Sequence, residues 1–353
     1  MARAHKLAAK GLYTTDPNPR VGCLLVKSGE IVGEGFHQYA GGPHAEINAL
    51  NQAGEAANGA TAYVTLEPCS HFGKTPPCSD ALIEAGVSRV VVALEDSNPE
   101  VSGGGIRRMQ DAGIAVQSGL SPQETEMLNP GFLSRMRSKR PFIRLKMAMS
   151  VDGRTAMSSG ESRWITGADA RMDVQRLRAR SSAIMTGVGT ILADDPSLNV
   201  REISGDFKIP VRIVLDPDAK TPASAKLFSI DGEIIMAVAT DASIPSEWSE
   251  RKNVKVIRLD RSSRGLDLQQ LMGYLAQLEM NEIHVETGAT LAGELVRHQL
   301  VDEIVLYMAP VLMGSDARPL LDIQLKEMDE KISLKIKEIR MVGGDLRMTL
   351  TAH

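Results

Sequence analysis

Two runs decide how this chain is read: Gly42-Pro43-His44-Ala45-Glu46, and Leu66-Glu67-Pro68-Cys69-Ser70-His71-Phe72-Gly73-Lys74-Thr75-Pro76-Pro77-Cys78. His44, Cys69 and Cys78 supply one imidazole and two thiolates for a tetrahedral zinc ion. Three protein ligands leave a fourth position for water, which is the arrangement of a catalytic zinc. Glu46, two residues past His44, can reach that water without binding the metal. An activated water beside a carboxylate proton shuttle is the chemistry of hydrolytic deamination of an amino-pyrimidine or purine. A closed structural zinc knot would need a fourth protein ligand. The candidate, Cys23, lies in an apolar run and reads as a small buried hydrophobe.

The common deaminase pattern places two residues between its cysteines, whereas eight separate Cys69 from Cys78 here. The inserted loop carries His71, Lys74 and Thr75, types that can grip a ring, a hydroxyl and a phosphate. Outward from these runs, the first half alternates strand and helix. Met1 to Leu7 reads as an amphipathic helix. Val21 to Lys27 and Ile31 to Gly35 read as a hairpin across Ser28-Gly29-Glu30. His44 to Ala53 has helical apolar spacing, and Ala62 to Leu66 is a strand ending at Pro68-Cys69. Cys78 opens a helix closed by Gly86, where the helix dipole favours a thiolate. Arg89 to Leu94 is a strand, Gly105 to Ala112 a helix and Ile114 to Gln117 an edge strand. Glu124 to Arg137 reads as one helix leading to a boundary near Arg140. The basic cluster Arg135, Arg137, Lys139 and Arg140 reads as a solvated linker.

In the second half, strands are expected at Phe142 to Met149, Ser182 to Thr186, Val211 to Leu215, Glu233 to Ala237, Ile283 to Glu286 and Ile304 to Met308. Helices are expected at Ala168 to Arg180 and Leu268 to Leu278, and a hairpin spans roughly Ser333 to Thr349. This alternation implies a mostly parallel sheet with helices on its faces. Two glycine-containing turns follow strands: Gly187-Val188-Gly189-Thr190, and Gly288-Ala289-Thr290-Leu291-Ala292-Gly293. Free backbone N–H groups at such turns bind pyrophosphate. No G-x-G-x-x-G with a downstream acid is apparent, so a classical dinucleotide fold is not supported.

Length and composition set outer bounds. The chain has 353 residues, which suggests two domains. Forty basic and 44 acidic residues give a net charge of −4, which offers no broad field for nucleic acid. Three cysteines, two of them in the metal pattern, leave no pair for a disulfide framework and fit a reducing cytoplasm. No apolar run approaches a membrane span, and the N-terminus lacks the apolar core of a signal peptide.

The cysteine run, with Thr14-Thr15-Asp16-Pro17-Asn18-Pro19 and Val21-Gly22, resembles the family of bifunctional riboflavin-biosynthesis proteins, a pyrimidine deaminase fused to a reductase. The resemblance continues through Phe142-Ile143-Arg144-Leu145-Lys146, Ser150-Val151-Asp152-Gly153-Arg154-Thr155-Ala156, Ser162-Arg163-Trp164-Ile165-Thr166 and Leu192-Ala193-Asp194-Asp195-Pro196-Ser197-Leu198. It implies an α/β chain: a cytidine-deaminase-like α/β/α sandwich over 1–140 and a dihydrofolate-reductase-like domain over 141–353. The implied substrate is a small molecule, a diamino-pyrimidinone carrying phosphoribosylamine. The first half would convert it to an amino-uracil, and the second would reduce the ribosyl group to ribityl with NADPH. Asn18 is then expected at the pyrimidine edge, and His71 and Lys74 at the ribose phosphate. Asp96 and Asn98 follow a strand end and could either face the substrate or cap a turn.

In the second half the resemblance assigns NADPH to Ala148, Trp164, Thr190, Asp194 and the turn Gly288, Ala289, Thr290, Leu291, Ala292, Gly293 and Glu294. It assigns substrate to Ser162, Arg178, Leu198, Arg201 and Glu286. Lys146 and Asp194 are the expected catalytic polar groups near hydride transfer. Arg20, Thr287 and Ala289 depart from the family pattern. A homo-oligomer without nucleic-acid or membrane partners is expected. Two other readings remain at this point: a nucleoside or tRNA deaminase with an appended domain, and a zinc-stabilised binding scaffold without catalysis.

Overall fold

The computed structural model describes residues 1–70, 76–99 and 101–352. By contact the chain divides into two units, Met1–Arg140 with Asp206–Lys208, and Pro141–Gly205 with Ile209–His353. The sequence reading placed Asp206–Lys208 in the second half. This segment instead joins the first unit, because the Lys208 N–H bonds the Tyr13 carbonyl at 2.9 Å and its ammonium pairs with Asp16 at 3.0 Å.

The first unit runs α1 (Ala2–Ala8), β1 (Gly22–Lys27), β2 (Glu30–Phe36), α2 (Ala45–Ala53), β3 (Thr61–Leu66) and α3 (Cys78–Glu84). It continues with β4 (Arg89–Leu94), α4 (Gly104–Asp111), β5 (Ala115–Ser118), α5 (Pro122–Leu128) and α6 (Pro130–Ser138). The sheet order is β2-β1-β3-β4-β5. The hairpin and β3 are antiparallel, and β3, β4 and β5 are parallel. Alternation along β1 separates the two faces of the sheet. Cys23 and Leu25 join the core with Ala45 and Ala49 of α2. Gly22 points the other way, where a Cβ would lie 2.1 Å from the Ala4 carbonyl of α1. Glycine there lets α1 pack directly on the strand.

The single helix expected from Glu124 to Arg137 is two. Pro130 supplies no N–H and cannot sit inside a helix, so α5 stops at Leu128 and α6 restarts at Pro130. The break is used. Asn129, buried at the junction, accepts the Arg20 N–H at 2.7 Å and donates to the carbonyls of Arg20 and Thr125.

The second unit runs β6 (Phe142–Ser150), β7 (Arg154–Ala156), α7 (Ala168–Ala179), β8 (Ala183–Gly187), α8 (Val188–Asp194), β9 (Val211–Leu215) and β10 (Ile234–Ala239). Next come α9 (Ser246–Ser249), β11 (Val254–Leu259), β12 (Arg261–Ser262), β13 (Gly265–Leu266), α10 (Leu268–Gln277) and β14 (Glu282–Glu286). The last elements are α11 (Ala289–Arg297), β15 (Glu303–Ala309), β16 (Arg318–Pro319), β17 (Leu334–Val342) and β18 (Asp345–Ala352). The main sheet has the order β11-β10-β9-β8-β14-β6-β15-β18-β17. It is parallel from β11 to β15 and closes with the antiparallel hairpin of β17 and β18.

Strand alternation again sorts the core. Ile213, Leu145, Val285 and Leu306 pack with Leu271 and Leu275 of α10 and Leu295 of α11. Val214 and Met236 face the opposite side with Phe228 and Trp248. Val305 and Tyr307 meet Val174 and Leu177 of α7. Near the start of β6 the buried Arg144 pairs with Glu282 at 2.7 Å and Glu303 at 2.6 Å. These bonds tie three neighbouring strands together where no apolar contact could satisfy the charge. Among the described residues, no helix is long and apolar enough to cross a membrane.

Candidate active sites

In the first unit, two helix starts and one loop bring the sulfur and nitrogen donors together. His44 is the residue before α2, Cys78 is the first residue of α3, and Cys69 lies in the loop after β3. Their donor atoms all lie within 4.8 Å of one another, and no other such His/Cys/Asp/Glu group occurs among the described residues. His44 Nδ1 is 3.2 Å from Cys78 Sγ and 3.7 Å from Cys69 Sγ. A nitrogen and a sulfur sharing a tetrahedral zinc lie about 3.6 Å apart, from Zn–N and Zn–S lengths of about 2.0 and 2.3 Å. The three residues therefore fit zinc in donor type and spacing. Cys23 is not one of the group; it is fully buried in the sheet core.

The electrostatics favour a thiolate in this cluster. Hydrogen bonding from Cys78, with further bonds from His44 and the Cys78 backbone N–H, outweighs burial and holds the Cys69 thiol down to about 4. Cys78 is pushed up, first by giving its proton to that bond and then by burial. Contact with Cys69 raises the His44 imidazole. Glu46 is 3% exposed, and burial pushes its carboxyl up to about 7. A carboxyl poised there can accept and return a proton near neutral pH.

Asn18 lies beside this cluster through a residue the sequence reading did not single out. Its Nδ2 is 3.0 Å from His37 Nε2, and His37 Nδ1 is 3.0 Å from the Pro43 carbonyl. The rings of His37 and His44 meet edge to face at 5.3 Å. No spacing rule marks His37; only its place just after β2 points to it. Arg20, the departure noted above, is buried and structural: its guanidinium donates to the carbonyls of Leu12 and Leu128. Asp96 is buried and its carboxylate accepts the Asn98 N–H at 2.8 Å. His71 and Lys74 lie outside the described residues.

The second unit holds a cleft of about 800 Å³ at the carboxyl ends of its parallel strands, where open α/β sheets bind ligands. Lys146, Ala148, Ser162, Thr190, Asp194, Glu286, Gly288, Ala289, Thr290, Leu291 and Glu294 line it. So do both glycine turns, at the starts of α8 and α11. Register places Glu286 of β14 beside Lys146 of β6. Burial lowers the Lys146 ammonium, partly opposed by Glu286. Burial would raise the Glu286 carboxyl, but the Arg178 charge and the bonds from His284 and Arg178 hold it well below the carboxylate range. Ser162 Oγ donates to Asp194 at 3.5 Å.

Six expected residues do not line the cleft. Ala292 is fully buried in the core, and a Cβ on Gly293 would lie 2.4 Å from the Asp322 carbonyl, so these two positions serve helix packing. Leu198 is buried. Trp164 is 68% exposed, with the Arg171 guanidinium 4.4 Å from its ring. Arg178, expected at the substrate, makes a bidentate pair with Glu286 at 2.6 and 3.0 Å and donates to the Asn199 carbonyl. Arg201 reaches the same residue through the Asn199 side chain.

Comparison with known proteins follows the same division. Residues 1–94 match the cytidine and deoxycytidylate deaminase zinc-binding region, and residues 141–348 match the RibD C-terminal domain. The Escherichia coli riboflavin biosynthesis protein RibD is 51% identical, over 99% of this chain and 98% of its own. The solved structure of Acinetobacter baumannii RibD (form 1) superposes with a TM-score of 0.94 at 41% identity, covering 100% of this chain and 97% of that one. A Thermotoga maritima diaminohydroxyphosphoribosylaminopyrimidine deaminase/5-amino-6-(5-phosphoribosylamino)uracil reductase gives 0.89 at 32% identity, with the same coverage. The first unit is thus cytidine-deaminase-like and the second dihydrofolate-reductase-like.

Proposed function

The chain belongs to the RibD family of riboflavin biosynthesis proteins, and on that premise we propose how its residues divide two reactions. It is a bifunctional deaminase and reductase, with a zinc-binding deaminase domain and a reductase domain that takes a nicotinamide cofactor. The substrate we propose is 2,5-diamino-6-(5-phosphoribosylamino)pyrimidin-4-one, deaminated to the amino-uracil and then reduced from ribosyl to ribityl with NADPH. A nucleoside or tRNA deaminase with an appended domain would not account for a match that runs through both halves. A non-catalytic scaffold leaves the buried carboxyl beside the ligands without a purpose.

The observation that carries the deaminase assignment is the convergence of His44, Cys69 and Cys78 beside the buried Glu46. These three side chains would hold the zinc. When bound, zinc supplies a Lewis acid that brings the pKa of water down to about 7. Glu46 would take one proton from the attacking water and give it to the ring nitrogen, then carry the proton of the newly added hydroxyl to the amine, which leaves as ammonia while the carbonyl forms. Its raised pKa suits both directions of transfer. Asn18, held by His37, orients the pyrimidine edge. Lys74 and His71 are proposed at the ribose phosphate.

In the reductase unit, the N–H groups at the starts of α8 and α11 would cradle the cofactor's phosphates. Lys146 would give the proton that must accompany hydride: as hydride reaches C1 of the ribose, the bond from C1 to the ring oxygen breaks and that oxygen takes the proton, while the bond from C1 to nitrogen is kept. Glu286 and Arg178 hold that end of the cleft at fixed charge. Asp194, bonded by Ser162, organises the donor side.

The deciding experiment is ammonia release from the diamino-pyrimidinone substrate with and without NADPH, followed at the nicotinamide band. Ammonia in both cases, with cofactor oxidation only after deamination, is the expected result. No ammonia from a zinc-loaded chain would overturn the assignment. Oxidation with NADH equal to that with NADPH would overturn the choice of cofactor alone.

A further inference from the structure

Glu67 is a buried carboxylate that neither half-reaction uses. It lies two residues before Cys69, where β3 gives way to the cysteine loop, and is 4% exposed. Its two oxygens accept four backbone N–H groups. Oε2 accepts from Asp96 at 3.2 Å and Gly103 at 3.0 Å. Oε1 accepts from Gly105 at 3.0 Å and Ile106 at 3.1 Å. Gly105 and Ile106 are in the first turn of α4, whose N–H groups have no partner within the helix. The residue before α4 is Gly103, with no side chain to cap them. The cap therefore comes from the end of β3, with its charge at the favourable pole of the helix.

A steric contact reinforces this one. A Cβ on Gly105 would lie 1.9 Å from the Pro68 carbonyl oxygen, and one on Gly104 would lie 2.7 Å from Ser70 Oγ. The first turn of α4 thus rests on Pro68 and Ser70, the residues on either side of Cys69.

We propose that Glu67 is a positioning residue for the metal centre. It locks the start of α4, with Asp96 and Gly103, against Pro68-Cys69-Ser70, and so fixes Cys69 Sγ relative to His44 and Cys78. The inference rests on the ligand assignment made above. Four converging donors need both oxygens of a carboxylate. An amide offers one acceptor oxygen and turns its NH2 toward the other two donors. Two buried N–H groups would then be left without partners, a cost that drives the segment apart. Because Oε2 also holds Asp96, the same carboxylate ties the metal loop to the turn that follows β4.

Cobalt(II) in place of zinc in the full chain tests this, since its thiolate and d–d bands report ligand set and geometry. Wild type should take up cobalt with tetrahedral thiolate bands. Glu67→Gln should lose cobalt to a competing chelator about 10- to 100-fold more readily, with displaced d–d bands. Glu67→Asp, which keeps both acceptor oxygens, should recover part of the loss. Cofactor oxidation with the deaminated substrate should be unchanged, and a cooperative thermal transition of the first unit as in wild type shows that each variant has folded. Gly105→Ala approaches the same contact from the helix side with Glu67 intact and should shift affinity and bands in the same direction. It decides the matter if Glu67→Gln does not fold. Wild-type affinity and bands in a folded Glu67→Gln chain, or in Gly105→Ala when the first variant is lost, would overturn the proposal. A wild-type chain without thiolate bands would overturn the ligand assignment instead.

Discussion

The metal centre and the reductase cleft are built on opposite plans. At the first, three donor atoms meet within 4.8 Å from two helix starts and one loop. The second is a cleft of about 800 Å³ whose walls come from strand ends and helix starts between Lys146 and Asp322. A point-like centre depends on side-chain identity, because no neighbour can replace a missing ligand. A cleft lined by backbone depends on the path of the chain and yields by degrees. Substitutions should therefore act as a switch in one unit and as a dial in the other.

The largest effect is expected at a ligand. Cys69→Ser should abolish ammonia release, because water without zinc returns to its ordinary, far weaker acidity. Reduction of the pre-deaminated substrate should proceed as in wild type. Parallel loss of both activities would end the contrast. Next comes Glu46→Gln, which should slow deamination by about 10²- to 10⁴-fold with zinc content unchanged by elemental analysis. Full activity in that variant would remove Glu46 from the mechanism.

The cleft should respond through stability before chemistry. Glu286→Gln leaves Arg178 without its bidentate partner and should cost about 3–5 kcal/mol in denaturant unfolding of the second unit. It also tests a pH effect. The Glu286 carboxyl sits well below its usual value of 4.5 in the folded chain, so below that value the unfolded state binds more protons. Its contribution is complete above about pH 4.5 and fades as pH falls toward the folded pKa. Glu286→Gln should flatten this acid limb; an unchanged limb would assign acid sensitivity elsewhere, with Glu303 the next candidate.

The smallest effect is expected at Gly288. A Cβ there would meet nothing within 4 Å, and its φ is −76°. Gly288→Ala should change stability by less than about 0.5 kcal/mol while raising KM for the cofactor. An unchanged KM would mean that phosphate does not approach this turn.

The same contrast explains what could be read before the fold was known. His44, Glu46, Cys69 and Cys78 stand out because few chemistries need those types at that spacing, and the structure brings the three ligands together. Glu67 sits inside the same run but gives no signal: its partners are the backbone N–H groups of Asp96, Gly103, Gly105 and Ile106, which have no side-chain signature. Lys146 and Glu286 become neighbours only through the register of β6 and β14. Along the 288–294 turn, the sequence could not separate residues facing the cleft from Ala292 and Gly293, which face inward. The strand Val254–Leu259 went unread because Lys255 and Arg258 interrupt its apolar residues at the sheet edge. The break at Pro130 follows from the proline rule, although helical residues on both sides of it mask the interruption.

The cysteine inventory has a practical consequence. Of the three thiols, Cys23 is sealed in the core, while Cys69 and Cys78 both face His44. A labelling reagent added to the native chain meets free sulfur only where metal has departed, so the speed of modification is a gauge of zinc occupancy. Loss of zinc and oxidative damage then become one hazard. An emptied centre leaves two sulfurs within 4.8 Å, near enough for an oxidant to join them and bar the ion's return.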